Sequence, residues 1–171
     1  MGQSPHHVDP QRVAALVHRA QTGDTMARGD LLEVLTPAVR RWCGPIALDD
    51  GADATQETLI VVLRTLNQLR DPAALFGWVR TIAVREAARI ANKRRWSAEL
   101  TDLPAPGDPQ LRVDVRDALG RLAPEHRAIL MLRDLDGISE QRAAELLAVP
   151  VGTVKSRLSR ARRSFRKEWQ A

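Results

Sequence analysis

From Val151 to Lys167 the chain carries seven basic residues and no acidic one. Val154, Leu158, Ala161 and Phe165 recur there at helical spacing and form one apolar stripe. Lys155, Ser156, Ser159, Arg160, Arg163 and Arg166 lie away from that stripe. Like charges one turn apart on a helix repel, so an acid-free helix asks for a compensating anion. Phosphates supply one, and the major groove of DNA admits a single helix whose cations reach base edges. A solvated face without a partner is the plain alternative. A membrane surface is another, but the apolar side of this helix is already needed to close a small core.

A second cationic track occurs earlier. Arg80, Arg85, Arg89, Lys93, Arg94 and Arg95 share one segment, and Arg85, Arg89 and Lys93 repeat every four residues. Such a track suits a nucleic-acid backbone, with aromatic rings as stacking surfaces. Trp78 lies on an apolar stripe and belongs to the core, whereas Trp96 is the expected exposed ring. Upstream, Asp53-Ala-Thr-Gln-Glu-Thr-Leu59 places an acid–amide edge beside apolar residues, the makings of a protein-binding ridge. Alternatively, Asp53 caps a helix and Gln56 and Glu57 are merely solvated. No nucleophile–base pair, phosphate-cradling glycine loop or metal constellation stands out, so no catalytic residue and no cofactor is expected. His6, His7, His18 and His126 lack ligand spacing, and the single cysteine, Cys43, reads as a small buried hydrophobe beside Trp42.

These residues need elements to hold them. The 171 residues are 44% hydrophobic and 27% charged with a formal net charge of +5, which argues against wholesale disorder and favours an anionic partner. No secretory signal and no membrane-spanning run is visible, so a cytoplasmic location is expected. Leu103-Pro-Ala-Pro-Gly-Asp-Pro109 excludes a helix. The spacing predicts a stiff linker over 97–111 between a first lobe at 8–96 and a second at 112–169. Both lobes read as all-α. The stripes are Val13, Leu16, Val17, Ala20; Leu31, Leu32, Leu35, Val39, Trp42; Leu59, Val62, Leu63, Leu66, Leu69; and Leu75, Val79, Ile82, Ala83, Ile90. In the second lobe Val115, Leu119 and Leu122 precede Pro124, and Ile129, Leu130, Leu132 and Leu135 precede Asp136-Gly137. Ser139 is placed to cap a helix over 140–147. After a turn at 148–150, Pro150 or Val151 opens the basic helix: helix–turn–helix spacing.

Two stretches carry a specific resemblance. Leu122-Ala-Pro-Glu-His-Arg-Ala-Ile-Leu-Met-Leu-Arg-Asp-Leu-Asp-Gly137 and Val149-Pro-Val-Gly-Thr-Val-Lys-Ser-Arg-Leu-Ser-Arg-Ala-Arg162 resemble region 4 of the extracytoplasmic-function (group 4) bacterial sigma factors. The Gln56–Glu57 helix, followed through to Ile82-Ala83, resembles sigma region 2, and Val8 to Cys43 resembles region 2.1, marked by Thr22-Gly23-Asp24. The resemblance spans Val8 to about Trp169. It implies two helical domains, a region 2 bundle and a region 4 helix–turn–helix. It assigns contact with the −35 promoter element to Arg133, Lys155, Ser156, Arg157, Ser159, Arg160 and Arg163. Contact with the melted −10 strand falls to Arg80, Arg85, Arg89 and Lys93. Core RNA polymerase would be bound by Asp53, Gln56 and Glu57 on the β′ clamp helices, with the β flap as a further contact. Arg85 stands where many family members have Asn, Arg80 replaces a frequent Tyr, and Leu63 stands where an aromatic is common. The first change is expected to alter −10 specificity.

The leading reading is therefore a promoter-selecting initiation subunit, with core polymerase, promoter DNA and possible anti-sigma proteins as partners, and no membrane. A stand-alone helix–turn–helix regulator with a dimerising first lobe is the alternative. A protein-only helical adaptor ranks below it, and an enzyme last.

Overall fold

The computed structural model describes residues 9–101 and 115–170, with side chains described for 9–96 and 115–170. Helix α1, Pro10–Gln21, opens on Asp9, whose carboxylate accepts from the Gln11 N–H at 3.0 Å. Its buried residues are Val13, Leu16, Val17 and Ala20, the expected stripe. Gly23 has a φ of 97°, a conformation that favours glycine, and turns the chain into α2, Thr25–Ala47. Asp24 caps α2 by accepting from the Ala27 N–H at 3.0 Å. That bond and Arg19, at 2.6 Å, hold its carboxyl below the usual range. Helix α3 spans Gly51–Thr65 and α4 Leu75–Thr101. These four helices make the first lobe, closed at one end by Gln21, whose side-chain amide donates to the Leu66 and Leu69 carbonyls at 3.0 and 2.8 Å. Cys43 is fully buried, its Sγ 3.6 Å from the Thr58 hydroxyl, and burial raises its pKa.

Helix α4 continues to Thr101, five residues past the Trp96 boundary read from the sequence. The run of prolines at 104, 106 and 109 lies outside the described residues.

The second lobe comprises α5, Val115–Gly120; α6, Pro124–Leu130; α7, Glu140–Leu147; and α8, Val151–Trp169. Ser139 caps α7, accepting from the Arg142 N–H at 3.2 Å, and Pro150 precedes α8. Between α6 and α7 the chain makes one wide π turn, Met131–Leu135, in which the Asp136 N–H reaches the Met131 carbonyl at 3.0 Å. The extra residue in that turn carries Leu135 off the stripe, so it stands 68% exposed although its spacing places it in the core. Asp136 is brought inward instead, its side chain 3% exposed.

The lobes are distinct in sequence but packed on each other. Helices α6 and α7 lie against α2 and α4, and residues of both lobes join one buried cluster, Ile46 and Val84 from the first lobe and Ala128 and Ile129 from the second among them. Arg127 pins this seam. It is 6% exposed, donates from Nε to the Ile46 carbonyl at 2.6 Å, and donates from Nη1 to the Leu122 carbonyl at 2.8 Å. Burial pulls its pKa down, a cost offset by these carbonyl acceptors.

Candidate nucleic-acid interface

The basic helix is presented by a tight corner. Ala148 adopts the left-handed region, φ 53° and ψ 46°, and its N–H closes α7 on the Ala144 and Glu145 carbonyls. Half-buried Val149 and Val151 flank Pro150 and lean on the core, which aims α8 across α6 and α7. Val154, Leu158 and Ala161 are buried there. Phe165, at the far end of the stripe, is only half-buried and stacks on Trp169 with ring centroids 6.0 Å apart.

The opposite side of α8 faces outward. Lys155, Ser156, Ser159, Arg160 and Arg163 are exposed, and Arg157 is half-buried. What bonds these residues make stay within the lobe: Arg160 donates to the Ser156 carbonyl at 3.3 Å, and Lys155 lies 3.8 Å from Glu140. Arg162 pairs with Asp134 at 2.5 Å, which raises its pKa. His126 sits beneath this face; burial, together with the nearby Arg160 and Arg157 charges, lowers its pKa. Arg133 does not share the face: its Nη1 donates to the Ile138 carbonyl and its Nε is buried.

The α4 track is differently placed. Arg80 stacks over Trp42, 5.1 Å from the ring centroid, with its Nε 3.7 Å from the Asp136 carboxylate. Arg85 crosses to the second lobe, donating to the Leu146 carbonyl at 2.9 Å and the Glu145 carbonyl at 3.1 Å. Those carbonyls lie at the end of α7, where acceptors outnumber backbone donors, so a guanidinium suits them well. Arg89 pairs with Glu86 at 2.6 Å, which raises its pKa; the nearby Glu57 charge adds to the effect. Lys93 is exposed on the next turn. Trp96 is 71% exposed and Trp78 is packed against the core, as their positions on the stripe imply.

On α3, Asp53, Gln56 and Glu57 are exposed in a row continued by Ile60, which is 40% exposed. Asp53 is not a cap, because the helix begins two residues earlier, at Gly51. Asp50 precedes it and pairs with Arg94 at 2.7 Å instead. An apolar side chain standing in an acid–amide row suits a protein partner.

Three residues at the seam escape a sequence reading. Arg127 looks like a surface charge, yet its three- and four-residue spacing from the buried Pro124 and Met131 puts it on an apolar stripe, the available signal. Arg41 and Asp136 offer none, since they meet only through the tertiary fold, at 2.9 Å. Among the described residues no group of His, Cys, Asp and Glu could hold a metal ion, and no helix is long and apolar enough to cross a membrane.

A buried-stripe helix with an outward cationic face, set after a capped helix and a left-handed corner, defines a DNA-binding helix–turn–helix protein of two helical lobes. The family described as "Sigma-70, region 4" matches residues 112–165. The ECF RNA polymerase sigma factor SigE of Mycolicibacterium smegmatis is 34% identical over 68% of this chain and 51% of its own length. The ECF RNA polymerase sigma-E factor of Haemophilus influenzae is 29% identical over 86% of this chain and 90% of its own length. Among solved structures, the sigma factor RpoE from Bartonella quintana, in complex with the anti-sigma factor NepR, has a TM-score of 0.62 at 25% identity, covering 84% of this chain and 96% of that one. Over most of its length the chain is thus similar to extracytoplasmic-function sigma factors.

Proposed function

We propose that this protein is a dissociable initiation subunit that gives core RNA polymerase its promoter choice. The outward, acid-free face of α8 carries the reading. Lys155, Ser156, Arg157, Ser159, Arg160 and Arg163 would enter the major groove at the −35 element, with phosphates offsetting their mutual repulsion. Arg133, spent on the Ile138 carbonyl, would support the motif from behind. Arg80, Arg85, Arg89 and Lys93 would follow the separated −10 strand. Removing a base from its stack costs a few kcal/mol, which contacts to the strand must return. The Asp53–Gln56–Glu57 row would dock on the β′ clamp helices, and the second lobe on the β flap. Relatives named as ECF sigma factors, one aligned over 90% of its length, support this reading. The B. quintana neighbour is in complex with an anti-sigma factor, and a comparable protein would regulate this chain. A stand-alone regulator would instead need a dimerising first lobe and a symmetric operator.

Purified core polymerase, the protein and a genomic promoter library test the proposal together. The expected result is transcription from a discrete promoter set, abolished by omitting the protein. Gln56→Ala with Glu57→Ala is expected to weaken core binding while leaving duplex binding intact. Failure to support initiation from any promoter, with dimeric binding to a palindrome, would overturn the proposal in favour of a repressor.

A further inference from the structure

Between Leu75 and Trp96 helix α4 carries six cations and a single acid, Glu86. An acid on a face meant for phosphates repels them, so its presence asks for a reason. Glu86 stands within the cationic track, one residue after Arg85 and three before Arg89. Its Oε2 accepts from Arg89 Nε at 2.9 Å and from Nη2 at 2.6 Å. Both bonds fall on one oxygen. Oε1 has no described partner, and it is not among the buried polar atoms, so it meets solvent. The Glu86 side chain is 19% exposed and that of Arg89 55%, which sets the carboxylate deeper in the surface than the guanidinium. The Glu86 charge is felt by the buried Cys43 thiol and the Glu57 charge by Arg89, so the pair lies on the α3 side of α4. Half-buried Ile82 and Ile90, one turn to either side, give apolar ground beside it. A pair one turn apart on an open surface adds little stability, so bracing α4 is a weak reason for the acid.

Unpaired bases differ in what they offer a lone carboxylate oxygen. On the edge that faces the major groove in a duplex, cytosine and adenine present an exocyclic amine, a donor. Thymine and guanine present a keto oxygen there, which a carboxylate repels. Resting on the sigma-factor reading, we propose that Glu86 is a specificity-determining residue for the melted −10 strand, its Oε1 accepting from the exocyclic amine of one unpaired cytosine or adenine. Arg89 is the positioning residue: its fork closes on Oε2 and leaves Oε1 to the base, with Nη1 left for the adjoining phosphate. The acid weakens binding at every strand through phosphate repulsion and restores it only where an amine stands opposite. Repulsion of the wrong base and attraction of the right one together turn affinity into choice.

A selection tests this. The full chain bound to core polymerase is equilibrated with single strands that carry a randomised segment, and the bound pool is sequenced. The parent is expected to enrich cytosine or adenine at one position, roughly fivefold over thymine and guanine. Glu86→Gln keeps the shape but adds a donor, so it should flatten that position and leave the others unchanged. Overall strand affinity should be equal or higher, because a repelling charge has gone. Arg89→Lys keeps the charge but not the fork, and should weaken the enrichment with little loss of overall affinity. An ion pair that only braces the helix would instead lower affinity for all strands alike and leave base preference untouched. That result, the same enrichment in Glu86→Gln and the parent, or parental enrichment of thymine or guanine at the position the variant flattens, would overturn the proposal. If promoter-directed transcription by the parent accompanied any of these, the sigma-factor reading would stand without it. Absence of both strand binding and initiation in the parent would remove both.

Discussion

The cations on α4 and α8 read alike in the sequence, yet the fold treats them oppositely. On α8, Lys155, Arg160 and Arg163 look outward, and the bonds described for that face stay within its own lobe. On α4, Arg80 and Arg85 turn to the other lobe, to Asp136 and to the Leu146 and Glu145 carbonyls. The reason is what each helix covers. One side of α8 completes a small core and leaves the other to solvent. Helix α4 lies between its own bundle and α7, so part of its cationic side meets polar groups of the chain before it meets DNA. Helical spacing assigns a residue to a face; it does not say whether that face is vacant.

The largest way to disturb this contrast is to cut the seam. Arg127→Met removes a guanidinium that bonds the Ile46 and Leu122 carbonyls and leaves both acceptors buried. The expected loss is about 3 kcal/mol of unfolding free energy by urea titration, with the α4 face more accessible to hydrogen exchange. On α8, Lys155→Ala with Arg160→Ala should weaken duplex binding tenfold or more, as judged by the loss of about 0.9 in salt slope per phosphate contact. Core binding should be unaffected, and an equal loss of both would erase the division between the two faces. A smaller effect belongs to Ala148, whose left-handed backbone at the α7–α8 corner suits glycine. Ala148→Gly should raise stability by about 0.5 kcal/mol in thermal melts without changing duplex affinity.

The smallest effect is a pH dependence under the α8 face. The pKa of His126 is lowered from 6.5 in the folded chain, mainly by burial. The unfolded chain therefore takes up the proton first on acidification. The stabilising contribution is present above about pH 6.5 and is lost as the pH falls from there through the lowered folded value. His126→Gln should flatten that part of a melting-temperature profile.

Much of this was legible from residue order because it depends on neighbours along the chain. The stripe Val13–Ala20, the Ser139 cap and the opening of α8 after Pro150 are local, and each lies where its spacing places it. Leu135 departs because a π turn changes the number of residues per turn, and nothing in Met-Leu-Arg-Asp-Leu announces one. Arg41 and Asp136 are ninety-five positions apart in sequence and meet only when two lobes pack. The outward set on α8 was readable for the local reason, whereas the engagement of Arg80 and Arg85 depends on a neighbour that periodicity does not contain.

In the proposed function, one chain grips one promoter with two separate cationic faces. Hydroxyl-radical footprinting of the reconstituted polymerase on a selected promoter, with permanganate probing of unpaired thymines, measures it directly. Two distinct protected patches are expected, with reactive thymines only at the downstream one, and Lys155→Ala with Arg160→Ala should erase the upstream patch alone. A single symmetric patch without reactive thymines, or loss of both patches together in that variant, would contradict it.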